Sequence, residues 1–163
     1  MEVNMAKKVP NKVRPNTALI GISGVHYVVS ELSRRGLVAL PTIRNTAAYD
    51  IIVTTPNGKK HANIQVKTSQ KRASFFRMPP SSKVNVSPCD FYVFLRWLPQ
   101  DNRYEGYMLT GRTARTEVAR SERFQRRRIR AGSRRVIVPS LYVGRKVEVR
   151  AKRWRKNWLD WRL

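Results

Sequence analysis

Charge constrains this chain more than any other feature: 34 Lys and Arg side chains stand against 10 Asp and Glu, a formal net of +24. Such a surplus opposes compaction, so the basic groups must lie on surfaces and be met there by something anionic. The chain still has material for a core, because 41% of its 163 residues are apolar. That separates it from a disordered basic tail and suits one domain. The apolar runs Leu37 to Leu40 and Phe91 to Leu95 are too short to span a bilayer, and the basic N-terminus lacks the apolar stretch of a secretory signal. The single cysteine, Cys89, excludes an intramolecular disulfide and a Cys-based zinc cluster. The expected setting is a reducing one: cytoplasmic, and nucleoid-associated when bound to DNA.

The charge is uneven. Residues 1–108 carry 16 basic and 6 acidic side chains, and residues 109–163 carry 18 and 4, so the shorter part holds +14 of the surplus. Three regions follow: a basic arm over 1–16 with Pro10 and Pro15, an α/β core over 17–110, and a basic helical extension over 111–163 packed on that core.

In the core, Leu19, Ile22, His26, Val29 and Leu32 recur at helical spacing, with Asn16 or Thr17 as cap and Gly36 as stop. Strands are predicted at Leu37–Ile43 and Asp50–Thr55. Pro56-Asn57-Gly58 then turns the chain into a third at Lys60–Thr68, with Ala62, Ile64 and Val66 on one face. Residues 71–87 read as a loop or a broken short helix around Pro79-Pro80. Phe91–Trp97 and Tyr104–Leu109 are strands joined at Asp101-Asn102. Thr110 caps an arginine-rich helix reaching about Arg130. A short strand or extended segment at Val136–Val138 and a last helix over 146–161 complete the order. Helix, three strands, link, two strands and helices make a mixed α/β domain.

Among the ten carboxylates Asp50 is distinctive, since it opens a strand whose hairpin partner carries Gln65 and Lys67. The hairpin can bring the three together on one side of the sheet. A carboxylate, an amide oxygen and the Val66 backbone carbonyl form a hard oxygen site suited to Mg²⁺ or Mn²⁺, and a lysine beside it can neutralise phosphate. The plain structural alternative is a strand-start aspartate that caps a turn, with Gln65 and Lys67 on a solvated face.

Gly21-Ile-Ser-Gly24, Glu31-Leu-Ser-Arg-Arg-Gly36, Arg44-Asn45, Asp50-Ile51 and Ile64-Gln-Val-Lys-Thr68 together resemble the PD-(D/E)XK nuclease superfamily. More narrowly, they resemble a bacterial branch with QVKT as its second motif, over roughly residues 17–110. The resemblance implies a restriction-endonuclease-like fold, a mixed central sheet flanked by helices. It also implies metal-dependent hydrolysis of phosphodiester bonds, with metal held by Asp50, Gln65 and the Val66 carbonyl and water attack assisted by Lys67. Relatives carry a Glu directly after the first-helix glycine, where this chain has Val25 after Gly24. His26 is the neighbouring candidate ligand, and a plain helix-surface histidine is its alternative. With one carboxylate, the metal is expected to bind weakly.

Residues 112–135 contain ten arginines and no lysine, with guanidinium groups predicted all around the helix. Glu117 and Glu122 cannot pair with ten arginines, so Arg123, Arg126, Arg127, Arg128, Arg130, Arg134 and Arg135 are expected to contact nucleic acid. Lys71, Arg72 and Arg77 are expected at the mouth of the Asp50 site. Trp154, Trp158 and Trp161 form a helical stripe that reads as packing, with base stacking as its alternative. Three functions follow: a metal-dependent endonuclease on duplex DNA, a catalytically inactive nuclease-fold binder, and a basic RNA-binding structural protein. Cutting both strands needs two sites, which a homodimer would supply. A membrane is not an expected partner, because the arginines lie on segments patterned for a folded domain.

Overall fold

In a computed structural model, residues 16–43, 49–70, 75–129, 134–143 and 161–163 are described. Most of the basic arm, Arg44 and Asn45, Lys71, Arg72, Arg130, Trp154, Trp158 and nearly all of the last expected helix lie outside them. No helix among the described residues is long and apolar enough to cross a membrane.

Helix α1 spans Thr17–Arg34. The Asn16 side chain accepts from the Ala18 N–H at 2.9 Å and opens it, and Gly36, at φ +79°, lets the chain turn away at its end. Five strands form the central sheet: β1 (Val38–Pro41), β2 (Ile51–Thr54), β3 (His61–Ser69), β5 (Asp90–Leu98) and β6 (Arg103–Thr110). Their order is β1-β2-β3-β5-β6, and every neighbouring pair is antiparallel except β3–β5, which is parallel. Gly58, at φ +69°, makes the β2–β3 turn where the sequence placed it. Helix α2 spans Gly111–Arg128, with Thr110 as its cap. The fold is therefore mixed α/β, a central sheet flanked by helices.

Two details differ from the sequence reading. Residues 71–87 contain β4 (Phe75–Arg77), which pairs with β7 (Ser140–Tyr142) in a second, two-stranded sheet. Each strand is only three residues long, too short for its alternation to register. Val136–Val138 is not a strand, and the strand of that region begins two residues later at Ser140.

The sheet has a core on each face. Val28 and Leu32 of α1 pack on Ala39, Ile51, Val53, Ile64, Val66, Val93 and Leu95. On the other face, Ala114 and Val118 of α2 pack with Tyr92, Phe94, Tyr107 and Leu109, and with Phe76 and Leu141 from the small sheet. The buried stripe of α1 is Gly24, Val28 and Leu32, whereas Leu19 is 61% exposed. The stripe is turned from the predicted face because α1 crosses β3 at Gly24, where a Cβ would overlap the Thr68 side chain. A small residue, not a large apolar one, sets the contact.

Candidate functional site

Antiparallel pairing of β2 with β3 runs inward from Ile51↔Ile64. One residue outward the ladder breaks: the Asp50 N–H donates to the carbonyl of Ile64, at 2.9 Å, rather than continuing toward Gln65. Asp50 and Ile51 both address Ile64, which is the arrangement of a β-bulge, a device that re-aims a side chain. On its other side Asp50 stays in register, its carbonyl accepting from the Thr42 N–H at 2.9 Å. Past this point β3 runs on without a β2 partner, and among the described residues no strand pairs with that edge. Asp50 Oδ2 fills the first gap by accepting from the Val66 N–H at 2.7 Å.

The carboxylate therefore sits in line with the sheet, at the fork where β2 leaves β3. A cleft of about 480 Å³ opens here toward α1, lined by Gly21, Val25, His26, Thr42, Asp50 and Val66 among others. No described residue bonds Asp50 Oδ1. The N–H and C=O of one strand residue point the same way, so the Val66 carbonyl also faces the open edge. Among the expected site residues, the structure gathers Asp50, the Val66 backbone and His26. Val25 lines the same cleft, at the position where the resemblance leads one to expect a carboxylate.

Gln65 and Lys67 are not in this cleft. Side chains alternate along a strand, and Val66 belongs to the α1 core. Gln65 and Lys67 thus leave β3 on the face of α2, beside their register partners Tyr92 and Phe94. The fork lies between: His26 and Val25 approach from one face, while Gln65 and Lys67 flank it from the other. No group of three or more His, Cys, Asp or Glu that could hold a metal occurs among the described residues.

A second aspartate, singled out by no sequence motif, borders β3 on its other side. Asp90 is 2% exposed and lies opposite Asn63 in the parallel register. It accepts from Asn63 Nδ2 at 3.2 Å and from the Ser87 N–H at 3.0 Å. Burial, then a hydrogen bond to Asp90, raises the pKa of the Tyr49 hydroxyl above its ordinary value. With three donors around it and no cleft, Asp90 pins the start of β5. Asp50 has one donor and a cleft. That contrast makes Asp50 the candidate.

The arginines of α2 are not spread evenly. Gly111, Ala114, Val118 and Ser121 form a buried stripe of small residues against the sheet. Opposite it Arg112, Arg120, Arg123, Arg126 and Arg127 fall within about 120° of arc at 100° per residue. Arg120 pairs with Glu117 at 2.7 Å. Glu122 faces away from this ridge and accepts from the Ser81 N–H and hydroxyl at 3.0 and 2.6 Å. Arg115 is likewise spent, donating twice to the Val84 carbonyl. Among the described residues no carboxylate forms an ion pair with Arg123, Arg126, Arg127 or Arg128, and all four are exposed. Arg77 on β4 and Arg134 and Arg135 before β7 are exposed too.

No protein-family profile matches the sequence, and no curated protein does either. Among solved structures, the fold is similar to a bacterial homing endonuclease, I-Ssp6803I, at 13% identity and a TM-score of 0.45, covering 61% of this chain and 69% of that one.

Proposed function

We propose that this protein binds DNA through the arginine ridge of α2 and carries, at the β2–β3 fork, a PD-(D/E)XK-like phosphodiester-hydrolysing centre reduced to one carboxylate. The observation that carries the catalytic part is the bulge. It turns Asp50 into a cleft beside an open strand edge instead of leaving it on a ladder. The donor set suits a hard divalent cation, which Asp50 and the Val66 carbonyl would hold together with water and substrate oxygens. Bound Mg²⁺ or Mn²⁺ would lower the pKa of the attacking water and polarise the phosphate. Asp50 orients that water's approach, the bond to Val66 N–H fixes the carboxylate, and Lys67 offsets phosphate charge from the far face. His26 stands at the cleft wall as the remaining ligand candidate.

Incubating plasmid with the protein in Mg²⁺ or Mn²⁺ tests this reading. Slow nicking is expected, lost in Asp50→Asn, which keeps an acceptor for Val66 N–H and so keeps the fold. Asp50→Ala should lose activity and also about 1 kcal/mol of stability, because it removes the acceptor of the part-buried Val66 N–H. Nicking that persists in both variants would remove Asp50 from the chemistry.

A second reading, a binder without chemistry, is favoured by Val25 lying in the cleft in place of a carboxylate. Salt-sensitive DNA binding with no nicking under either metal would select it.

A further inference from the structure

Phe124 is 56% exposed on a helix otherwise dominated by arginine, and neither core contains it. It lines a cleft of about 770 Å³ between the last turns of α2 and the segment leading into β7, with Arg128, Ile129, Arg135, Val136 and Tyr142. The Arg128 guanidinium lies over the Phe124 ring, 5.1 Å from its centroid. Tyr142, 40% exposed, forms the facing wall and is braced by Phe75 at 5.8 Å between ring centroids.

The walls are held in place. Gln125 Nε2 donates to the Val138 carbonyl at 2.8 Å, and Gln125 Oε1 accepts from the Val138 N–H at 2.9 Å. Gln125 also donates to Ser121 Oγ at 3.1 Å. One side chain therefore staples the segment before β7 to α2.

We infer that this cleft takes an unpaired nucleobase of bound DNA, stacked against Phe124 and facing Tyr142, with the flanking phosphates on Arg128 and Arg135. The argument is one of complementarity. A base offers two flat apolar faces, which match exposed aromatic rings, and its attached phosphates match the guanidinium rim. Among the described residues that line the cleft there is no Asp or Glu, and it adjoins the arginine ridge, where the backbone of the same DNA would lie. A partner protein with an apolar plug would match the rings but bring no anionic group to the Arg128 guanidinium. The inference rests on the DNA-binding reading and adds a preference for distorted or single-stranded sites over intact duplex.

Two short DNA duplexes of one sequence test it, one fully paired and one carrying a fluorescent purine analogue as a single unpaired base. The wild type should bind the bulged duplex about tenfold tighter and quench its analogue. Phe124→Ala, a change at an exposed side chain, should erase that preference while leaving affinity for paired duplex unchanged. Phe124→Trp should keep it. A preference that survives Phe124→Ala, or a wild type without one, overturns the base site and leaves duplex binding standing. Failure to bind either duplex overturns the DNA-binding reading itself.

Discussion

Helices α1 and α2 are each 18 residues long, each is opened by a side-chain cap, each lies on one face of the same sheet, and each makes one close contact through a glycine. A Cβ at Gly24 would overlap the Thr68 side chain, and a Cβ at Gly111 would overlap the backbone carbonyl of Asn85. There the likeness ends. α1 has one arginine in the interior of its span or at its end, Arg34, and it pairs with Glu31; α2 ends on Arg126, Arg127 and Arg128, which have no carboxylate among the described residues. Packing is thus the shared part, and the outward face is where the two divide the work. α1 walls a cleft that receives one carboxylate, and α2 presents charge. Ridge and cleft lie on opposite faces of the sheet.

The largest effect should come from removing the charge that separates the helices. Replacing Arg126, Arg127 and Arg128 by Gln should flatten the dependence of log affinity on log salt by about 2.7 units, three phosphate contacts' worth. Matching losses from neutralising α1's Arg34 would erase the contrast. Next come the shared glycines. Gly111→Ala meets an immobile carbonyl and should cost about 3 kcal/mol, whereas Gly24→Ala meets a side chain and should cost about 1–2 kcal/mol, read from denaturant midpoints. Equal costs would mean that the two contacts yield alike. Smaller still, Val25→Glu adds a carboxylate to the α1 cleft and should raise Mn²⁺-dependent nicking about tenfold without altering the salt slope. A fall in activity would show that position 25 does not serve the fork.

The smallest effect belongs to the boundary between the faces. The Tyr49 pKa is raised above 10.0, chiefly by burial and then by its bond to Asp90. A folded-state pKa above the unfolded one stabilises fully below pH 10 and loses that contribution as pH rises through the folded value. Thermal stability should therefore decline above about pH 10, and Tyr49→Phe should shallow that decline while costing about 1 kcal/mol near neutrality.

Most of this architecture was legible in the chain because its signals are local. Alternation over Ala62, Ile64 and Val66 marks β3, Asn57-Gly58 marks its turn, and Thr110 marks the start of α2. What escaped depends on partners distant in sequence. The buried face of α1 was mislaid because Gly24 and not Leu19 makes contact, and a glycine carries no apolar signal. Sequence alone spreads arginine all around α2 because its buried stripe consists of Gly111, Ala114 and Ser121 with only Val118 between. At the fork, a hairpin counted residue by residue puts Asp50 level with Gln65. The bulge shifts that pairing by one and turns the carboxylate toward the other face.

The one parallel joint, β3 with β5, also dictates how the chain assembles. Antiparallel neighbours close through short turns, but this seam of seven residue pairs is bridged by the longer connection over residues 70–89. Loop-closure entropy makes it the slow contact. The α1–β1–β2–β3 half emerges first during synthesis and can organise around its own hairpin, while the half holding the arginines is still being made. The strongly cationic helix thus gains a scaffold as soon as it appears, and the seam is the step at which folding and self-repulsion compete. In pulse-labelling hydrogen exchange, amides of β2 and β3 facing each other should gain protection before those that bridge β3 to β5.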